Sequence, residues 1–345
     1  MAAEAYGGNK TLVPRFEAVS RWDGDIALAT PASSDATIAV FKVHRGVLAY
    51  HSKVFADMLA LPVDAAHNET YEDVPLVCLH DNEDDLCKLI KAMYDLSSLR
   101  LQRFDADTPL QVRGVLTLAV KYEVESVREY IVSHIEADWP RTFEELCRWR
   151  LDFLHTMEVR TLHNQDITLR AEHIYPEPAS AIRLAFDFGI TSILPAAFYR
   201  LSLASVKSVW KENPPGWTWN PDWFSARWDL LTGSDYRRLM NGKDALRRAQ
   251  KELPWVWHDG NADCEPECME GKQDLHDSHH PAFPQSDNDV FFELLRMSKD
   301  LRECNTASLC NLCPECREAI KQNITALLDE MWTSLPRIFL LDQEL

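Results

Sequence analysis

The sequence predicts an α+β amino-terminal domain, a small sheet with a helical cluster, followed by a mainly α-helical carboxy-terminal region. Three observations predict this. Two β-rich runs flank the five-residue turn "PASSD" at 31–35, and one more short run, "PLVCL", lies at 75–79. From residue 82 to 140 apolar residues recur at steps of three and four, the period of a half-buried helix. Beyond 140 the patterned segments are again helical. A chain of 345 residues suits about two domains.

The elements follow in order. "DIALAT" at 25–30 alternates Ile26 and Leu28, and with "ATIAVFKV" it reads as a hairpin. "FKVHRGVLAYHSKVFADML" at 41–59 reads as one helix, with His44, Leu48, Ser52 and Phe55 near a single stripe and Pro62 beyond its end. "PLVCL" reads as a short buried strand. Asn82 is placed to cap a helix carrying Leu86, Leu89, Ile90 and Met93. Thr108–Pro109 opens the next helix, through Val112, Val115, Leu116 and Ala119, and "EVESVREYIVSHIEADW" adds another before Pro140. The predicted organisation is a flexible start over 1–20, the α+β domain over 21–140, a helical extension over 141–257, an acidic loop over 258–289, and a helical segment with a cysteine cluster over 290–345.

Composition narrows the function. With 54 acidic against 36 basic residues the net charge is −18, which repels phosphate backbones and disfavours nucleic-acid binding. No unbroken apolar run approaches the roughly 18 residues of a membrane span, and the first residues lack the pattern of a secretory signal, so the expected location is the cytoplasm or nucleus or both. Five tryptophans (Trp210, Trp217, Trp219, Trp223 and Trp228) crowd a Pro-rich stretch, where a satellite hydrophobic core is the plainer reading than base stacking. No G-x-G-x-x-G, P-loop, H-E-x-x-H or G-x-S-x-G motif is present.

Nine cysteines without a signal argue for reduced thiols or metal ligands. Cys78, Cys87 and Cys147 sit among apolar residues and read as buried small side chains. The other six lie between 264 and 316, as Cys264-x-x-x-Cys268 and then "CNLCPEC" at 310–316. Thiolates from a loop and from a helix start suit a structural Zn²⁺ site, expected on Cys264, Cys268, Cys310 and Cys313, with Cys316 as substitute. His276, His279 and His280 are further candidates, and a zinc hydrolase is the enzymatic alternative. The competing view is that steps of three merely line one helix face.

The order of elements and several motifs resemble the BTB/POZ fold. Asp25-Ile26 is similar to the start of that family's first core strand, and His44, Leu48, Ser52 and Phe55 match its H-x-x-x-L-x-x-x-S-x-x-F signature. "KYEVESV" at 121–127 looks like its helix-hairpin element. "YPEPASAIRLAFDFG", "LMNGKDALRR", "SLCNLC" and "MWTSLPRIFLL" resemble the carboxy-terminal half of fungal, basidiomycete-type BTB proteins. The resemblance implies that the signature is structural, and His44, with no recognisable Ser, Cys or acidic partner, is expected to be a satisfied core residue. It implies a non-enzymatic module for homo- or heterodimerisation, with Asp25 and Arg45 lining a charged pocket near the interface. The competing view of that pair is a plain salt bridge inside the domain. Adaptor work at a cullin-type ubiquitin ligase and transcriptional regulation are further implications. The absence of kelch-like repeats and Cys₂His₂ fingers weakens both.

Overall fold

The structure, a computed structural model, describes residues 11–14, 23–31, 37–61, 69–149, 176–206, 210, 225–252, 264–279, 290–303 and 311–342. The chain divides into two compact units, Met1–Ile135 and Glu136–Leu345.

Among the described residues the first unit is built on five strands, β1 (Thr11–Pro14), β2 (Ile26–Pro31), β3 (Thr37–Val43), β4 (Thr70–Tyr71) and β5 (Val74–Cys78), in the order β1-β3-β2-β5-β4. β2 and β3 are antiparallel, with Leu28 opposite Phe41 and Ala29 opposite Val40. That register puts Ala27, Ala29, Ile38 and Val40 on one face, where Tyr71, Val74, Leu76 and Cys78 pack against them. Ile26, Leu28, Phe41 and Val43 fall on the opposite face and are also buried, so these strands are apolar on both sides.

β1 lies inside the stretch expected to be flexible, and pairs in parallel with β3, Leu12 beside Ile38. Four residues are too few to show alternation, so only the backbone pairing reveals this strand. β5 is half-buried along its length rather than buried, because its outer neighbour β4 has only two residues and leaves it near the sheet edge.

Among the described residues the unit has five helices, α1 (Arg45–His51), α2 (Lys53–Ala60), α3 (Glu83–Tyr94), α4 (Thr108–Lys121) and α5 (Glu125–Ala137), the last ending just past it. Asn82 caps α3 by accepting from the Asp84 and Asp85 backbone N–H groups. Leu86, Leu89, Ile90, Val112, Val115, Leu116, Val127 and Ile131 form the buried stripes that the spacing predicts.

The single helix expected over 41–59 is instead the end of β3, through Val43, and two helices. Ser52 is extended, with φ −139° and ψ 119°, and ends α1 while opening α2. Its hydroxyl accepts from the Phe55 backbone N–H (3.0 Å), a local bond that competes with helix continuation.

In the second unit residues 143–149 are helical, and the further described helices are α6 (Pro178–Phe188), α7 (Leu194–Ser202), α8 (Gly233–Glu252), α9 (Pro266–His279), α10 (Val290–Glu303) and α11 (Pro314–Ile338). The buried Glu177 carboxylate caps α6, accepting from the Ala179 (3.0 Å) and Ser180 (2.7 Å) backbone, and also takes the Arg227 N–H (3.0 Å). Gly189 ends α6 at φ +69°, where an L side chain would be strained. Ser192 lies in a short 3₁₀ turn before the next helix, and its hydroxyl donates to Glu136 (2.6 Å).

α11 packs on α7, α8 and α10. Phe339 just past its end stacks on Phe198 (5.5 Å), and Phe291 meets both Tyr199 (4.7 Å) and Trp332 (6.3 Å). α9 falls within the segment expected to be an acidic loop. Its acidic composition does not register the buried Cys268 or the cluster around that sulfur. Of the five tryptophans, Trp210 lies under the Arg227 guanidinium (4.7 Å) and Trp228 stacks on Tyr236 (6.5 Å). Trp217, Trp219 and Trp223 lie outside the described residues.

Candidate functional site

Two groups of residues bear on function, one in each unit. The first is the stripe 44–55. His44 is the N-cap residue of α1, and both ring nitrogens have partners: Nδ1 lies 2.9 Å from the Tyr94 hydroxyl and Nε2 3.2 Å from the Asp23 carboxylate. The His44 backbone N–H donates to the same hydroxyl (3.1 Å). An acidic partner is therefore present, contrary to the sequence expectation. It is contributed by the turn before β2, twenty-one residues away in sequence, which spacing along a helix cannot reveal. The ring is half-buried rather than a core side chain, with 32% of it exposed. These bonds orient the ring and tie α1 to α3.

Leu48 and Phe55 are fully buried, and Phe55 stacks on Tyr122 (4.5 Å, 13° between planes). The Ser52 hydroxyl donates to the Tyr122 carbonyl (2.5 Å), joining the α1–α2 break to the end of α4. Beside it, the Asp81 carboxylate receives the Lys121 ammonium (2.5 Å) and the Tyr122 hydroxyl. Thr30 donates to the Asp81 carbonyl (2.5 Å). Asp23, Tyr94 and Asp81 carry as much of this network as the signature residues do.

Asp25 and Arg45 lie together without forming a salt bridge between side chains. The Asp25 carboxylate accepts the Arg45 backbone N–H (2.6 Å) at the start of α1, and the Arg45 guanidinium donates to the Leu59 carbonyl (2.7 Å). Along the same two helices Tyr50 is 85% exposed and Leu61, just after α2, is 65% exposed. Large apolar side chains standing in water on one helix pair are available to a partner.

The second group is a thiol cluster. The sulfurs of Cys264, Cys268, Cys313 and Cys316 all lie within 4.8 Å of one another. Cys268 and Cys316 are buried, and Cys264 and Cys313 are half-buried. Cys313 is the N-cap of α11, and its sulfur accepts from the Cys316 N–H (3.4 Å). The Cys313 N–H donates in turn to the Cys268 sulfur (3.3 Å), and Cys264 and Cys316 approach to 3.1 Å.

Crowding separates the acidities of these thiols. The hydrogen bond to Cys316, then burial, pushes Cys264 up to about 12. Burial alone would raise Cys316, but hydrogen bonds from Cys264, Lys272, Cys313 and Cys268 bring it down to about 7. One sulfur thus takes the negative charge that its neighbours cannot share. Burial would lower Lys272, yet its bond to Cys316 and the charges of Cys316, Cys264 and Cys268 hold its ammonium above the usual value. Four soft donors around one point can hold a cation, most simply a tetrahedral Zn²⁺. Cys310 and His280 lie outside the described residues, as do the side chains of His276 and His279. Lys272 is absent from the sequence expectation, although its place four residues after Cys268 puts it on the same helix face. Cys78, Cys87 and Cys147 are half-buried.

Among the described residues no helix is long and apolar enough to cross a membrane. No curated protein and no solved structure matches the chain. Residues 31–138 match the family model of the BTB/POZ domain. That span holds β3, the helices α1 to α5 and the whole stripe from His44 to Phe55. The first unit accordingly has a BTB/POZ-like fold, an α+β arrangement associated with protein–protein interaction, and mainly α-helical structure follows it.

Proposed function

We propose that this chain is a non-enzymatic interaction protein whose amino-terminal unit forms homo- or heterodimers. The observation that carries the reading is the use made of the signature. Leu48, Ser52 and Phe55 are spent on packing and capping, while Tyr50 and Leu61 on the same helix pair stand exposed. Asp25 and Arg45 fix the start of the helix that carries Tyr50, and we place them at the edge of the interface. Adaptor work for a cullin-type ubiquitin ligase is the finer form of this reading, with transcriptional regulation through assembly as its rival. The cytoplasm or nucleus is the matching location. The fungal, basidiomycete-type resemblance of the second half fits a chain that presents a partner-binding surface there.

A structural Zn²⁺ at the thiol cluster belongs to the same reading. All-thiolate coordination leaves no open position on the metal, so it suits stapling rather than hydrolysis. The test is light scattering on the full chain across a concentration series, with Tyr50→Asp in parallel. A dimer that the substitution dissociates supports the reading. A monomer at every concentration, with no capture of a second BTB-type chain, overturns it. Co-elution with a purified cullin separates the adaptor form from the rival.

A further inference from the structure

We infer that the metal centre is closed by Cys264, Cys268, Cys313 and Cys316, with Lys272 as its charge partner and α9 as the element it folds. This rests on the reading of the thiol cluster as a metal site, and names its ligands, its surroundings and its consequence.

The geometry selects the four sulfurs. Zinc–sulfur bonds of about 2.3 Å place tetrahedral thiolates about 3.8 Å apart. The four sulfurs here lie within 4.8 Å of one another, with the closest pair at 3.1 Å, so small side-chain movements complete the tetrahedron. Two ligands come from the start of α9 and two from the start of α11. Four donors fill the shell, and Cys310 then has no place in it. In the loaded site all four sulfurs are thiolates, the protons still held by the thiols having gone to solvent, and the product, Zn²⁺ with four thiolates, carries two negative charges.

That excess charge needs compensation, and three features of the site supply it. The backbone N–H groups of Cys313 and Cys316 point at sulfur, at the positive end of a 25-residue helix. The Lys272 ammonium lies 3.9 Å from the Cys264 sulfur. Groups in this outer position commonly change metal affinity by about 10- to 100-fold.

The consequence is structural. Around Cys268 the helix α9 carries Glu267, Glu270 and Asp274, with Glu265 just before it, and offers little apolar surface of its own. A chain of that composition does not bury enough to stay ordered, so the metal supplies the anchoring.

The experiment uses the full chain. Zinc content is measured on the purified protein, and alkylation with iodoacetamide is mapped by mass spectrometry with and without a chelator. The expected result is one zinc per chain and protection of Cys264, Cys268, Cys313 and Cys316, but not Cys310, that disappears on chelation. Backbone hydrogen exchange of 264–279 should rise in the same step. Lys272→Met, which keeps every ligand, should weaken zinc about 10- to 100-fold in chelator competition.

Protection of Cys310 in place of Cys316 overturns this ligand set while leaving a structural zinc standing. Unchanged affinity in Lys272→Met removes the charge partner, and unchanged exchange removes the folding role. No bound zinc and no zinc-dependent protection overturn both this inference and the reading it rests on.

Discussion

Replacing Ser52 by Ala removes two hydrogen bonds at one buried point. The hydroxyl caps α2 through the Phe55 N–H (3.0 Å) and donates to the Tyr122 carbonyl (2.5 Å). Loss of an N-cap costs about 1 kcal/mol. Withdrawing a donor from a buried carbonyl costs about 1–3 kcal/mol. The sum, about 2–4 kcal/mol, is a large fraction of the stability of a typical domain.

Asn82→Ala supplies the reference. Asn82 also caps a helix, through the Asp84 (3.0 Å) and Asp85 (3.1 Å) backbone, but it is exposed and ties no second element. Its loss should cost only about 1 kcal/mol. Urea unfolding of the full chain, followed by hydrogen exchange at α1, α2 and α4, separates the two variants. Ser52→Ala should lower the midpoint at least twice as far, and exchange should accelerate on both sides of the break. If Ser52→Ala costs no more than Asn82→Ala, the Tyr122 bond contributes nothing, and the account of the signature serine as a tie between helices fails.

Two other perturbations probe the rest of the framework. Burial raises the Asp85 carboxyl above its usual range, outweighing the nearby Lys88. The folded state thus favours the neutral acid, a benefit present below the unfolded value and lost as pH rises through the folded one. Asp85→Asn should therefore stabilise the first unit at neutral pH, with the advantage vanishing below about pH 4. Equal melting curves at pH 7 would contradict this.

In the second unit, a Cβ on Gly242 would lie 2.0 Å from the Phe339 ring, which is buried against Phe198. Gly242→Ala gains about 1 kcal/mol of helix propensity and loses about 1–3 kcal/mol to overpacking. A net fall in the second unit's melting temperature is expected, and a rise would show that the ring moves freely.

What the sequence determined alone is the set of periods and punctuation. The apolar steps of α3, α4 and α5, the Asn82 cap and the paired runs of β2 and β3 follow from local chemistry, and local chemistry is written along the chain. The motif letters carried the BTB/POZ-like fold as well: the matched span 31–138 contains His44, Leu48, Ser52, Phe55 and residues 121–127, while Asp25-Ile26 precede it.

Only the tertiary structure decided the rest. His44, Ser52 and Phe55 fit one helical stripe by spacing, yet Ser52 breaks the helix because its hydroxyl finds partners at Phe55 and, seventy residues on, at Tyr122. Asp23 reaches His44 from another element. β1 exists through pairing with β3, and Cys316 stands beside Cys264 across fifty-two residues. Each is a contact between residues distant in sequence, and neither period nor composition encodes which distant groups meet.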